Sequence, residues 1–269
     1  MIAAPRPRAH GRATSADGTQ IVWYRYGVGE RAILFMPTWN IVDARVVGHQ
    51  VAALEPYATV VTYDARGVGA SERPKRGYDF PLHAADALAV LDASGIERVA
   101  LVTASRGVNA AILLATDDPN RFDRIVVVGP YMQLEVEPMP PDPVWLEALR
   151  TDWPGFIVPF MRKVFTEPDS ADVIAEMIAI GLEATPEVVA TQELELDWER
   201  PARLLGRVTC PTLIVHGEGD AGVPVALAET ILGGLPNARL VLIPAGGHRP
   251  DIRTPELVNP LLLGFLLGP

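Results

Sequence analysis

Ala100-Leu-Val-Thr-Ala-Ser105-Arg-Gly-Val-Asn-Ala-Ala-Ile-Leu-Leu114 decides how this chain is read. Its first part, Val99–Thr103, is a continuous apolar run of the kind found in parallel strands buried on both faces. From Val108 onward the residues favour a helix. Ser105 stands at the junction, on a turn so tight that its hydroxyl is pushed clear of the strand end. A strand–serine–helix junction of this kind is a nucleophile elbow. The residues two positions either side should be small, because the two backbones approach closely there. Gly107 meets that demand and Thr103 does not. The competing reading is that Ser105 only caps the helix that follows.

Outward from this junction, strand-like and helix-like stretches alternate, which predicts an α/β architecture. Ile21–Tyr26 alternates in strand fashion after a turn at Asp17-Gly18. Ala32–Met36 and Thr59–Tyr63 are short strand-forming runs. Pro81–Ser94 carries a helical stripe closed by Gly95. Ile125–Gly129, Pro211–His216 and Arg239–Pro244 repeat the buried-strand character. Between Tyr131 and Val208 the character changes: prolines cluster at Pro138, Pro140, Pro141 and Pro143, and short amphipathic helices follow. Asp169 is expected to cap one of them and Thr185, ahead of Pro186, another. The expected division is a flexible tail over 1–14, a core over 15–131 and 207–269, and a helical cap over 132–206.

A serine hydroxyl is a weak nucleophile unless an imidazole takes its proton and a carboxylate orients that imidazole. Both candidates lie downstream. Pro211-Thr-Leu-Ile-Val-His-Gly-Glu-Gly-Asp220 is a strand ending in a carboxylate, and Leu240-Val-Leu-Ile-Pro-Ala-Gly-Gly-His248 is a strand ending in a histidine. The interval between them fits one helix, Pro224–Leu235, and one strand. Parallel strands joined by helices point the same way, so Ser105, Asp220 and His248 are expected at one sheet edge, where open α/β sheets place their ligands. Glu218, Glu135 and Glu137 are weaker candidates for the acid, and His216 reads as a packed residue. His49 and His83 fall in predicted helices without a ligand pattern, so no metal site is expected. Gly67-Val-Gly69 lacks the third glycine and the immediate helix of a dinucleotide fingerprint, so no nucleotide cofactor is expected.

Taken together, these stretches resemble the α/β-hydrolase superfamily from about Asp17 to Leu267. Asp64-Ala-Arg-Gly-Val-Gly-Ala-Ser71 is similar to that family's Asp-x-Arg-Gly-x-Gly-x-Ser loop. Gly246-Gly-His-Arg-Pro-Asp251, followed by Pro255-Glu-Leu-Val-Asn259, is similar to its late signature. The resemblance implies a mostly parallel sheet flanked by helices, a helical cap, and a Ser105–His248–Asp220 triad. It also implies an oxyanion hole formed by the backbone N–H groups of Arg106 and Thr38. At the second of these the family's His-Gly is replaced by Met36-Pro37, and Trp39 becomes the donor if the register differs by one. Trp39, Trp145, Trp153, Phe156 and Phe160 are candidate walls of an apolar pocket. Arg106 is a candidate partner for a substrate carboxylate.

The resulting expectation is an enzyme that cleaves an ester, thioester or lactone through an acyl-enzyme. Two alternatives stand beside it: a cofactor-free carbon–carbon hydrolase or cyclase using the same triad, and a small-molecule binding protein on the same scaffold. Composition narrows the partners. Of 269 residues 49% are hydrophobic, enough for a sizeable core, and the formal net charge of −10 disfavours phosphate backbones and anionic membranes. Cys210 is the single cysteine, so no internal disulfide or thiolate-rich metal site is available. No apolar leader or membrane-length run is present, so a cytoplasmic location is expected.

Overall fold

A computed structural model describes residues 5–134 and 141–268. Its centre is one eight-stranded sheet in the order β1-β2-β4-β3-β5-β6-β7-β8. The strands are β1 (Ala9–Thr14), β2 (Gln20–Tyr26), β3 (Ala32–Phe35), β4 (Thr59–Tyr63), β5 (Val99–Ala104), β6 (Phe122–Val128), β7 (Thr212–Gly217) and β8 (Ala238–Ile243). β1 and β2 pair antiparallel, as do β2 and β4, and every other pairing is parallel. All residues of β5 and β7 are buried, which explains why these strands read as unbroken apolar runs rather than alternating ones.

Helices cover both faces. α1 (Gly48–Leu54) follows β3, α2 (Phe80–Ser94) follows β4, and α3 (Gly107–Asp117) follows β5. α2 starts at Asp79, whose carboxylate accepts from the Leu82 N–H, and ends on Gly95 in the left-handed region at φ 71°. Between β6 and β7 lie α4 (Pro143–Thr151), α5 (Trp153–Val164), α6 (Ala171–Leu182), α7 (Pro186–Glu195) and α8 (Glu199–Leu204). α9 (Val225–Gly234) links β7 to β8, and α10 (Pro250–Arg253) and α11 (Pro255–Leu267) close the chain, with Pro260 inside the last. Two apolar clusters fill the faces of the sheet, one around Leu101, Ile112 and Ile214 and the other around Ile33, Val102 and Val215. A third, containing Trp39, Val42, Leu149, Ile157, Met177 and Ile252, joins the α4–α7 block to the loops at the carboxyl ends of the strands.

Two expectations need correction. Residues 9–14 are not a loose tail but strand β1, in register with β2 from Ala9 opposite Arg25 to Thr14 opposite Gln20. The segment is polar and only Ala13 is well buried, so nothing in its own pattern marks it as a strand. The tight turn at Asp17-Gly18, where Ser15 N–H donates to Thr19 O at 2.9 Å, folds it back onto β2. Asp169 does not cap α6. It sits at φ 56°, Ser170 occupies the cap position, and neither Ser170 nor Thr185 makes a side-chain cap bond. Pro186 does take the first turn of α7.

The Asp64–Ser71 loop serves the fold. The Asp64 carboxylate accepts from Ala70 N–H, Ala44 N–H and Tyr24 Oη–H. The Arg66 guanidinium is fully buried and grips Asp86 through two bonds of 2.8 and 2.6 Å, Asp17 at 2.8 Å, and the Gly77 carbonyl. A buried cation needs such complete pairing to offset its desolvation.

Candidate active site

Ser105 adopts φ 48°, a left-handed conformation rare for a residue with a side chain. Such a residue costs about 1–3 kcal/mol and persists only where its surroundings over-determine it. They do so here. Ser105 N–H donates to Val128 O at 2.9 Å, its carbonyl accepts from Tyr131 N–H at 3.2 Å, and the Asn109 amide bridges the carbonyls of Arg106 and Tyr131. The turn is thereby fastened to the loop beyond β6. Thr103, which breaks the small-residue rule, is accommodated because position 107 is glycine. A Cβ there would lie 1.9 Å from Thr103 Oγ1 and 2.5 Å from Pro37 O. The bulk added at one position is removed at the other.

Asp220 and His248 arrive at the same sheet edge from β7 and β8. His248 Nδ1–H donates to Asp220 Oδ2 at 2.6 Å. A carboxylate only accepts, so the ring proton sits on Nδ1 and Nε2 is left as the basic nitrogen. The other carboxylate oxygen accepts from Gly222 N–H at 2.8 Å and Val223 N–H at 2.9 Å. Burial pushes the Asp220 carboxyl upward, but the bonds from His248, Val223 and Gly222 outweigh it and hold the group below its ordinary value. Gly129 makes room for the imidazole, since a Cβ there would stand 2.6 Å from His248 O and 3.1 Å from Nδ1.

Ser105 and His248 line two adjoining cavities together. The smaller, of about 50 Å³, is walled by Thr38, Trp39, Val42, Phe160, Met161, Phe165 and Met177. The larger, of about 160 Å³, adds Arg106, Tyr131, Lys163, Gly222 and Val223. Thr38 thus falls beside the serine, and Arg106 follows it at the head of α3.

The aromatic candidates separate. Trp39 and Phe160 line both cavities. Trp145, Trp153 and Phe156 do not. They form a second row, with Phe156 edge-on to Trp39 and Trp145 and stacked on Trp153 and Phe160. Trp153 spends its indole N–H on Gly181 O. The Arg106 side chain is also committed elsewhere. It is ion-paired to Glu193 on α7, and its guanidinium lies 4.2 Å from the centre of the Trp39 ring, with Tyr131 and Trp198 nearby.

His216 is fully buried at the end of β7, with Nε2 donating to Val223 O at 3.0 Å, and burial lowers its pKa. It braces the acid loop. Glu218 is exposed, and Glu135 and Glu137 lie outside the described residues. Among the described residues no group of three or more His, Cys, Asp or Glu could hold a metal ion. No helix there is long and apolar enough to cross a membrane.

Sequence reasoning missed the contribution of α5. His248 N–H donates to Val164 O, Gly247 N–H to Glu167 Oε1 at 2.7 Å, and Thr166 Oγ1–H to Gly219 O at 2.9 Å. Both loops that carry the acid and the histidine are therefore tied to the end of one inserted helix. No local signal marks Glu167 for this task.

Residues 33–261 match the model of the alpha/beta hydrolase family. The chain belongs to that family and is an enzyme of the hydrolase class. A putative carbamate hydrolase from Caulobacter sp. (strain K31) is 30% identical over 236 residues, covering 81% of this chain and 84% of that one. The serine hydrolase BPHL of Homo sapiens is 28% identical, covering 94% and 84%. A thermophilic esterase from Thermogutta terrifontis superposes with a TM-score of 0.83 at 24% identity over 96% of this chain and 98% of that one, which speaks for the fold.

Proposed function

We propose that this enzyme hydrolyses a carboxylic ester, thioester or lactone of a compact substrate through an acyl-enzyme on Ser105. The observation that carries the reading is the 2.6 Å bond between His248 Nδ1 and Asp220, with His248 and Ser105 facing one cavity. Ser105 Oγ attacks the carbonyl while His248 Nε2 takes its proton. Asp220 holds the tautomer and stabilises the imidazolium. The N–H groups of Thr38 and Arg106 receive the developing oxyanion. The imidazolium then protonates the leaving group, and a water activated by the same nitrogen releases the acid. The α4–α8 block acts as the cap, contributing Phe160, Met161 and Val164 to the walls. Cavities of about 50 and 160 Å³ suit small substrates, since drug-sized ligands occupy about 300–1,000 Å³. The serine hydrolase and esterase among the similar proteins agree with this chemistry.

Wild-type protein is expected to react with a fluorophosphonate probe and to turn over short-chain 4-nitrophenyl esters. Ser105→Ala should do neither. Full retention of both by that variant removes the reading. Product analysis with esters and 1,3-diketones distinguishes ester hydrolysis from carbon–carbon cleavage, and ligand binding without labelling would point to a binding protein.

A further inference from the structure

Two hydrogen-bond donors beside Ser105 are without partners among the described residues. The first is the indole N–H of Trp39, a residue only 7% exposed that lines both cavities. Leaving a buried N–H unpaired costs about 1–3 kcal/mol; Trp23 carries another such orphan, and the Trp39 N–H has almost no exposed surface, so it reaches a ligand in the cavity only after a small shift of the ring. Trp153, one row back, shows the contrast, because its N–H is satisfied by a backbone carbonyl.

The second is Lys163. It stands in the last turn of α5 next to Arg162, where a cation complements the helix dipole. Arg162 meets that need without entering the site. Lys163 instead lines the larger cavity with Ser105 and His248, and it makes no hydrogen bond or ion pair with a described residue. Its Cε would stand 4.0 Å from a Cβ on Gly222, so its stem lies along the acid-bearing loop. The charges around it are already spent. Arg106 is paired with Glu193, Asp220 with His248, and no carboxylate among the described residues lines this cavity. Among the described residues, this cavity therefore carries at its exposed edge one cation without an anionic partner, on a protein whose formal net charge is −10.

We infer that the substrate carries a carboxylate. The Lys163 ammonium pairs with it, and the Trp39 N–H donates to a second acceptor oxygen of the same molecule. The substrate class is then a compact half-ester, thioester or lactone of a dicarboxylic or carboxylated hydroxy acid. The overall negative charge slows encounter with such an anion, and the local cation selects it once it has arrived. This inference rests on the hydrolase reading above.

Four esters test it: mono(4-nitrophenyl) succinate against 4-nitrophenyl butyrate, and 4-acetoxybenzoate against phenyl acetate. They place the carboxylate on the acyl side or on the leaving-group side. In the wild type at least one anionic ester should exceed its neutral match in kcat/KM, and the advantage should shrink as salt is raised. Lys163→Met keeps the stem and removes the charge. It should cut that advantage about two- to fivefold, mainly through KM, as expected for an exposed ion pair. Trp39→Phe keeps an aromatic ring, removes the N–H, and should cut it about two- to fivefold. Anionic-to-neutral ratios that are the same in all three proteins overturn the inference. If fluorophosphonate fails to label Ser105 and no ester is turned over, the hydrolase reading itself has failed. Saturation-transfer NMR with glutarate then decides the anion site: transfer lost in Lys163→Met upholds it, and equal transfer in both proteins overturns it.

Discussion

The amide of His248 donates to the carbonyl of Val164 at 2.9 Å, so the loop that presents the imidazole hangs from the end of an inserted helix. One residue earlier, Gly247 N–H is held by the Glu167 carboxylate. The imidazole therefore has two supports, Asp220 through the ring and the end of α5 through the backbone.

Removing the second support should slow the serine without abolishing it. Glu167→Ala is expected to lower stability by about 1–3 kcal/mol, the usual cost of stranding a donor. It should also slow fluorophosphonate labelling of Ser105 about tenfold at unchanged probe affinity. Glu167→Gln, which keeps an acceptor oxygen, should restore most of both. A labelling rate that is the same in the wild type and in Glu167→Ala would show that the loop keeps its place without this bond.

In the proposed mechanism Asp220 fixes the imidazole tautomer, so Asp220→Asn should leave the fold intact and remove most of the activity. An amide in place of the carboxylate can donate to Nδ1 and thereby move the ring proton to Nε2, where it blocks proton uptake from Ser105. A loss of about 10³- to 10⁴-fold in kcat is expected. Circular dichroism checks the fold and single-turnover kinetics the rate.

Gly107 and Thr103 are expected to be coupled. Gly107→Ala places a methyl into Thr103 Oγ1 and the Pro37 carbonyl, at a cost of about 1–3 kcal/mol. Thr103→Ala alone should cost little, because its hydroxyl makes only long contacts of 3.4 Å to Met36 O and Pro37 O. The double variant should recover part of the loss, read as an interaction energy in a thermal or denaturant cycle. Recovery should be incomplete because the backbone oxygen of Pro37 remains in the way.

Acid should destabilise the protein through His83. Burial lowers its pKa to about 4 from an ordinary 6.5, and its Nε2 lies 3.3 Å from the Gln192 amide nitrogen, which donates to the neutral ring. The folded pKa is the depressed one, so the unfolded chain binds the proton more readily. The contribution is fully present above about pH 6.5 and falls away as pH drops toward 4. Full expression of this shift corresponds to about 3 kcal/mol, an upper bound. Stability measured from pH 7 to 4 should fall less steeply in His83→Gln than in the wild type, and parallel slopes would assign the acid sensitivity to other groups.

Much of this was legible in the sequence because the relevant signals are local. Buried runs such as Val99–Thr103 and Pro211–His216 announce parallel strands, and a polar residue at the carboxyl end of each points to the ligand-binding edge. Gly107 after Ser105 and the pair of glycines before His248 mark turns that only small residues permit. These are properties of a few neighbouring residues, and short-range sterics enforce them wherever they occur. Strand β1 was illegible for the opposite reason. Ala9–Thr14 has no apolar alternation and becomes a strand only because β2 offers it a partner.

The serine, the carboxylate and the imidazole, in that chain order, follow from the sequence alone, as does the sheet that gathers them. Only the folded chain decided which aromatic residues line the cavities beside Ser105 and which stand behind, that Arg106 is spent on Glu193 while Lys163 meets no partner among the described residues, and that Val164 and Glu167 carry the histidine loop. Those outcomes depend on side chains far apart in sequence competing for the same space and the same hydrogen bonds, and no local pattern records how that competition ends.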